Sequence, residues 1–167
     1  MSEIEAVPGL RIVPAAREHV PLILELIREL AAYEREPEAV VATEALVEAA
    51  LFGERPAAEA VVAYLGAEAA GFALWFQTFS TWTGRPGLWL EDLFVRPALR
   101  RRGVGTALIV HLARLCRDRG YGRFEWSVLD WNTPALDFYR ALGAEALDEW
   151  TTHRLTAAAL DRLAARS

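Results

Sequence analysis

The sequence predicts a mixed α/β domain in which a central strand feeds a glycine-bearing turn and then a helix. Three observations predict it. Residues 88–95 are almost continuously apolar around Glu91 and Asp92, as expected for a strand covered on both faces. Two β-rich stretches, 61–65 and 71–79, flank Gly66-Ala-Glu-Ala and read as a hairpin. Helical and strand-like segments otherwise alternate along the chain.

Taken in order, residues 10–13 read as a short first strand. In residues 18–34, Leu22, Leu26, Leu30 and Tyr33 fall on one helical stripe, with Ile23 and Ile27 beside them. Thr43 is placed to cap a helix over 44–52, and Gly53 follows as a stop. After the hairpin, residues 80–87 hold Thr81, Thr83, Gly84, Pro86 and Gly87 and read as a loop. Pro97 ends the central strand. A helix is expected over 103–119, stopped by Gly120, and another strand over 123–129. Thr133-Pro134 opens a helix that Gly143 closes. Two short strands, 144–147 and 151–155, and a helical tail, 157–165, complete the prediction.

The chain has 167 residues, enough to bury a full core without disulfides. No repeat or linker-like stretch divides it, so residues 1–167 are read as one domain. Apolar residues make up 53% and charged residues 25%, which excludes a disordered chain. No apolar run has the length of a membrane span, and the acidic start carries no secretory leader pattern. The single cysteine, Cys116, excludes a disulfide framework, and a cytoplasmic location is expected. All 18 basic residues are arginine. That excludes a Walker A loop and a Schiff-base lysine.

The turn Arg100-Arg101-Arg102-Gly103-Val104-Gly105-Thr106 is the most informative stretch. Two glycines clear side chains from backbone N–H groups, and a helix starts at once. Its unpaired N–H groups and dipole then point at one place. Arginine forks suit phosphate. The implied ligand is a phosphate or pyrophosphate. A solvated arginine run or a nucleic-acid contact is the alternative, and the net charge of −5 argues against the latter.

Glu91 and Asp92 sit inside the apolar strand, where a carboxylate is costly unless paired or functional. Alternation puts them on opposite faces unless a bulge intervenes. Tyr139 shares a helix face with Ala135 and Leu142, and from the pattern alone it reads as an ordinary core aromatic before a site residue. Asn132, the only asparagine, stands just before the proline-opened helix as a cap or a site residue. His19, His111 and His153 are too scattered for a metal site, so no metal is expected. Cys116, between apolar helix residues, reads as a buried, inert thiol. Trp82 in the loop before the central strand is a candidate pocket wall.

The stretch LEDLFVRPALRRRGVGTALI resembles motif A of the GNAT N-acetyltransferases, with Arg100-x-x-Gly103-x-Gly105 matching their Q/R-x-x-G-x-G/A pattern. The stretch VLDWNTPALDFYRALGA resembles their motif B. ELAAYE, TEALVEAALFGERP and FALWFQTFSTW extend the resemblance to the diamine (spermidine/spermine) and thialysine acetyltransferase branch, over about residues 10–155.

The resemblance implies a GNAT-like α/β fold. Its sheet is mixed and mostly antiparallel, flanked by helices, with a splayed central strand pair that admits acetyl-CoA as co-substrate. It implies that the backbone of Leu93, Phe94 and Val95 holds the pantetheine and thioester. Arg100, Arg101, Arg102, Gly103, Val104, Gly105 and Thr106 would surround the phosphates, and Asn132 and Ala135 match cofactor contacts. Tyr139 matches the tyrosine that protonates the departing thiolate, and Glu91 the carboxylate that deprotonates or orients the amine. Tyr33, Glu34, Glu91 and Trp82 match the amine side. Members of the branch form homodimers, so a homodimer is expected.

These roles answer a chemical need. An amine with a pKa near 10 is cationic at neutral pH and must lose a proton before attack. Fixed N–H donors stabilise the oxyanion that forms, and an acid assists the thiolate. Two acidic positions of the polyamine-acetylating members are occupied here by Ser80 and, without a gap, Thr151; Glu149 takes the second only if the alignment slips. A small diamine or a thialysine-like amino acid is therefore as good a fit as a polyamine. The alternatives are acetylation of a peptide or protein amine, and a CoA-binding sensor without turnover.

Overall fold

The computed structural model describes residues 7–166. They divide into two compact units, one ending at Ser127 and one beginning at Val128.

In the first unit, five strands form one sheet in the order β1-β2-β3-β4-β5: β1 Leu10–Pro14, β2 Glu59–Leu65, β3 Glu68–Ser80, β4 Arg85–Val95 and β5 Phe124–Trp126. The first four are antiparallel neighbours, and β5 joins β4 in parallel. Three helices accompany them: α1 Val20–Tyr33, α2 Glu44–Phe52 and α3 Val104–Asp118.

Four consecutive residues of β2, Ala60 to Ala63, are buried, so both faces of the sheet are covered there. Ile23, Leu24 and Leu26 of α1 and Val47 and Leu51 of α2 pack with Val62, Phe72 and Phe94 from one face. On α3, Val104, Leu108, Leu112 and Cys116 recur at four-residue intervals and are all buried. The predicted α2 limits are matched, and its Thr43 Oγ1 accepts from Leu46 N at 3.3 Å. The predicted hairpin is present with longer strands, and the loop shrinks as β4 begins at Arg85.

β5 is shorter than the expected 123–129. Its pairing with β4 ends at Leu90↔Trp126. The reason lies in β4. Leu90 faces Trp75 and Asp92 faces Leu74, so Glu91 is an extra residue, a β-bulge. A bulge disrupts the ladder and increases local twist. The parallel pairing stops one residue before it, while β4 runs on to Val95. The splay between the central strands thus begins at Glu91.

The second unit contains α4 Thr133–Ala141 and α5 Ala157–Ala164. Asn132 Oδ1 accepts from Ala135 N at 3.4 Å and caps α4, with Pro134 in its first turn. The strands expected at 144–147 and 151–155 are not formed among the described residues. A strand exists by pairing, and neither segment has a ladder partner there. Among the described residues, no helix is long and apolar enough to cross a membrane, and no cluster of three His, Cys, Asp or Glu could hold a metal.

Candidate active site

The bulge decides the environment of the two strand carboxylates. Glu91 is exposed, and its Oε2 accepts from Trp89 Nε1 at 3.0 Å. Asp92 is partly buried, and its pKa is pushed up to about 6. Burial is the main cause, and the negative charges of Glu91 and Glu34 add to it. Glu34 is itself raised by burial. It follows Tyr33 at the C-terminal end of α1. The end of α1 and the bulge of β4 therefore form one acidic group that favours a cationic ligand.

The far end of β4 is held to α1 by two arginines. Arg96 donates to Glu29 Oε1 at 2.6 Å, to Glu25 Oε1 at 2.5 Å and to the Ala69 carbonyl at 3.2 Å. Arg100 Nε donates to the Val95 carbonyl at 2.8 Å, and its guanidinium lies 4.4 Å from the Tyr33 ring centroid. Arg96 N donates to Ala70 O on β3. By antiparallel alternation, the N–H and C=O of Val95 and Leu93 then face away from β3, on the side where β5 has left. Phe94 points its own carbonyl at Gly71, where an added Cβ would lie 2.1 Å away.

The glycine turn leaves the start of α3 without a side-chain cap. Gly103, at φ +80°, caps α3, and no side chain caps the first-turn N–H groups. Val104 is buried, Gly105 and Thr106 are partly buried, and Arg101 and Arg102 are exposed. Arg101 holds φ +60°, a left-handed conformation uncommon for a side-chain-bearing residue. A pantetheine with a pyrophosphate fits these two features in sequence: first the open β4 edge, then the uncapped helix start.

Trp82, 81% exposed, lies in the β3–β4 loop. Ser80 Oγ accepts from Thr83 N at 3.3 Å and serves the turn. In the second unit, Asn132 is buried, Ala135 is partly buried in the first turn of α4, and Tyr139 lies partly buried on that helix with its ring centroid 5.2 Å from that of Phe138. Cys116 is buried, and its thiol is raised by that burial.

The structure thus sets Glu34, which follows Tyr33 at the end of α1, and Glu91 in one charged group. It adds Asp92, which the sequence weighed beside Glu91 but could not separate from it. Arg96 and Trp89 were not legible as supports; a lone arginine after a strand and a strand tryptophan carry no distinguishing pattern.

Residues 23–144 match the model of the Acetyltransferase (GNAT) family. The thialysine N-epsilon-acetyltransferase of Sus scrofa is 37% identical over 155 residues, covering 86% of this chain and 91% of that protein. The L-ornithine N5-acetyltransferase of Arabidopsis thaliana is 30% identical over 199 residues, covering 92% and 87%. Among solved structures, an integron cassette protein from the mobile metagenome of V. cholerae superposes with a TM-score of 0.79 at 24% identity, covering 95% of this chain and 99% of that one. At that identity the likeness speaks for the fold alone.

Proposed function

Because this chain belongs to the acetyltransferase (GNAT) family, we propose that it transfers the acetyl group of acetyl-CoA directly to a primary amine of a small molecule. The acceptor class we favour is an amino acid with a terminal side-chain amine, of the thialysine or ornithine kind. The observation that carries this reading is the bulge at Glu91. It places a partly buried Asp92 beside Glu34 and Glu91 and opens the β4 edge next to them.

The acidic group draws the ammonium form of the substrate and takes its proton. Asp92, ionised above about pH 6, is matched to a base that works near neutrality. Glu91, exposed and hydrogen-bonded to Trp89, leads the proton to water. The amine nitrogen then forms its bond to the thioester carbon, and the carbon–sulfur bond breaks. Outward-facing N–H groups of Leu93 and Val95 are the donors for the thioester and pantetheine. Carried over from the motif B resemblance, Tyr139 is assigned to protonate the departing sulfur, and the second proton that the nitrogen sheds as the amide forms restores the tyrosine. Arg101, Arg102 and the start of α3 hold the phosphates, and the motif B resemblance carries cofactor contacts over to Asn132 and Ala135. Tyr33, Glu34 and Trp82 meet the amine. Relatives named for thialysine and ornithine support the acceptor class. Ser80 is spent on its turn and leaves no acid there for a polyamine.

The test is thiol release from acetyl-CoA across thialysine, ornithine, lysine, putrescine, spermidine, spermine and a short peptide. Turnover led by the amino acids supports the reading; acetyl-CoA binding without turnover on any amine overturns it in favour of a CoA sensor.

A further inference from the structure

We propose that Arg100 is a positioning residue that ties the amine-binding end of α1 to the cofactor-facing edge of β4. The proposal rests on the acetyltransferase reading above and extends it to a coupling between the two substrate sites.

Arg100 makes two kinds of contact. Its Nε donates to the Val95 carbonyl at 2.8 Å, an oxygen on the side of β4 that β5 has left. Its guanidinium lies over the Tyr33 ring, 4.4 Å from the centroid, and 5.6 Å from the ring of buried Phe94. The side chain is partly buried, whereas its neighbours Arg101 and Arg102 are exposed. A desolvated guanidinium is held more strongly over an aromatic face than an exposed one. Its planar fork also fixes the direction of the Nε–H relative to the ring.

Docking of α1 as a whole does not need this residue. Arg96 already joins Glu25 and Glu29, in the middle of α1, to the end of β4. Arg100 acts one step further along the helix, on its last residue, Tyr33. Glu34 follows at once and is one of the charges felt by Asp92. Displacing the Tyr33 ring therefore displaces the Arg100 fork, and with it the Val95 carbonyl. Filling the amine site and aligning the thioester strand become one event, and small misplacements of reacting groups are costly.

The experiment is a double-mutant cycle, Arg100→Gln, Tyr33→Leu and both together, read as amine KM, kcat and acetyl-CoA Kd. Arg100→Gln is expected to lower kcat/KM for the amine about tenfold. Acetyl-CoA Kd should change less than about threefold, and the loss should be as large with S-acetyl-pantetheine, which lacks the nucleotide phosphates. The double variant should be no worse than the worse single one, because both changes remove the same link. Multiplicative losses overturn the proposal. So does an Arg100→Gln effect that vanishes with S-acetyl-pantetheine, since that places the arginine on a phosphate. If Arg100→Gln fails to fold, the same cycle is run with Arg100→Lys, which keeps the charge but not the fork. A wild-type chain that acetylates no amine removes the functional reading itself; wild-type turnover with multiplicative losses removes this proposal alone.

Discussion

Trp89 Nε1 donates to Glu91 Oε2 at 3.0 Å, two residues apart on the bulged strand. That bond holds Glu91 at an exposed position, while the adjacent Asp92 is partly buried and ionises with difficulty. Two neighbouring carboxylates thus receive different environments from one extra residue in the ladder. Separated proton affinities of this kind are how paired acids divide a task.

The first consequence is a pH dependence. Asp92 must lose its proton to act as a base, so kcat/KM should fall as pH drops through about 6. Asp92→Asn should lower turnover about 10²-fold and flatten that limb. Stability should respond with the opposite sign. The folded chain holds the Asp92 proton to about pH 6, above the ordinary value of 3.8, so this group's contribution is lost as pH rises through that window. Asp92→Asn should therefore stabilise the fold near neutral pH by on the order of 1–3 kcal/mol, seen as a higher Tm, and change Tm little below the ordinary carboxylate range. Thermal melts of both proteins across that range check the sign.

Tyr139→Phe should reduce kcat about 10²-fold or more while acetyl-CoA Kd stays within about threefold. Steady-state kinetics with an equilibrium binding measurement separates the two. Unchanged turnover would leave Tyr139 as a packing residue beside Phe138.

Arg101→Ala should raise the KM for acetyl-CoA about three- to tenfold, with a loss that shrinks as salt is added. The same change should scarcely alter kinetics with S-acetyl-pantetheine. Arg101 sits at φ +60°, so Arg101→Gly should fold at least as stably as the parent while losing the same phosphate contact.

Gly71→Ala should destabilise the sheet by about 1–3 kcal/mol. A Cβ there would stand 2.1 Å from the Phe94 carbonyl and 3.0 Å from Val95 Cα. Since Val95 turns its N–H and C=O toward the proposed thioester site, activity should fall along with the melting temperature. A Gly71→Ala protein with unchanged Tm would show that β4 yields at this point.

Light scattering should give twice the 18.6 kDa chain mass, as expected of a homodimer. A monomer would set this chain apart from the branch it resembles.

Much of the fold was legible because local chemistry states it directly. Thr43 and Gly53 bracket α2 by a hydroxyl cap and a residue that ends a helix. The α1 and α3 stripes are one-dimensional patterns of burial. The misreadings share a cause. The expected strand over 123–129 stops at Trp126, and those over 144–147 and 151–155 do not form among the described residues. Strands need partners, and partners are absent from a local pattern.

The α/β class, the glycine turn ahead of α3 and the two carboxylates in an apolar strand follow from the order of residues alone. Spacing and polarity carry each of these along the chain. Folding in three dimensions sets which carboxylate is exposed and which desolvated. It also decided that Arg100 spans Tyr33 and Val95, and that β5 leaves β4 just before Glu91. These depend on the register between strands remote in sequence, where one unpaired residue redirects those that follow it.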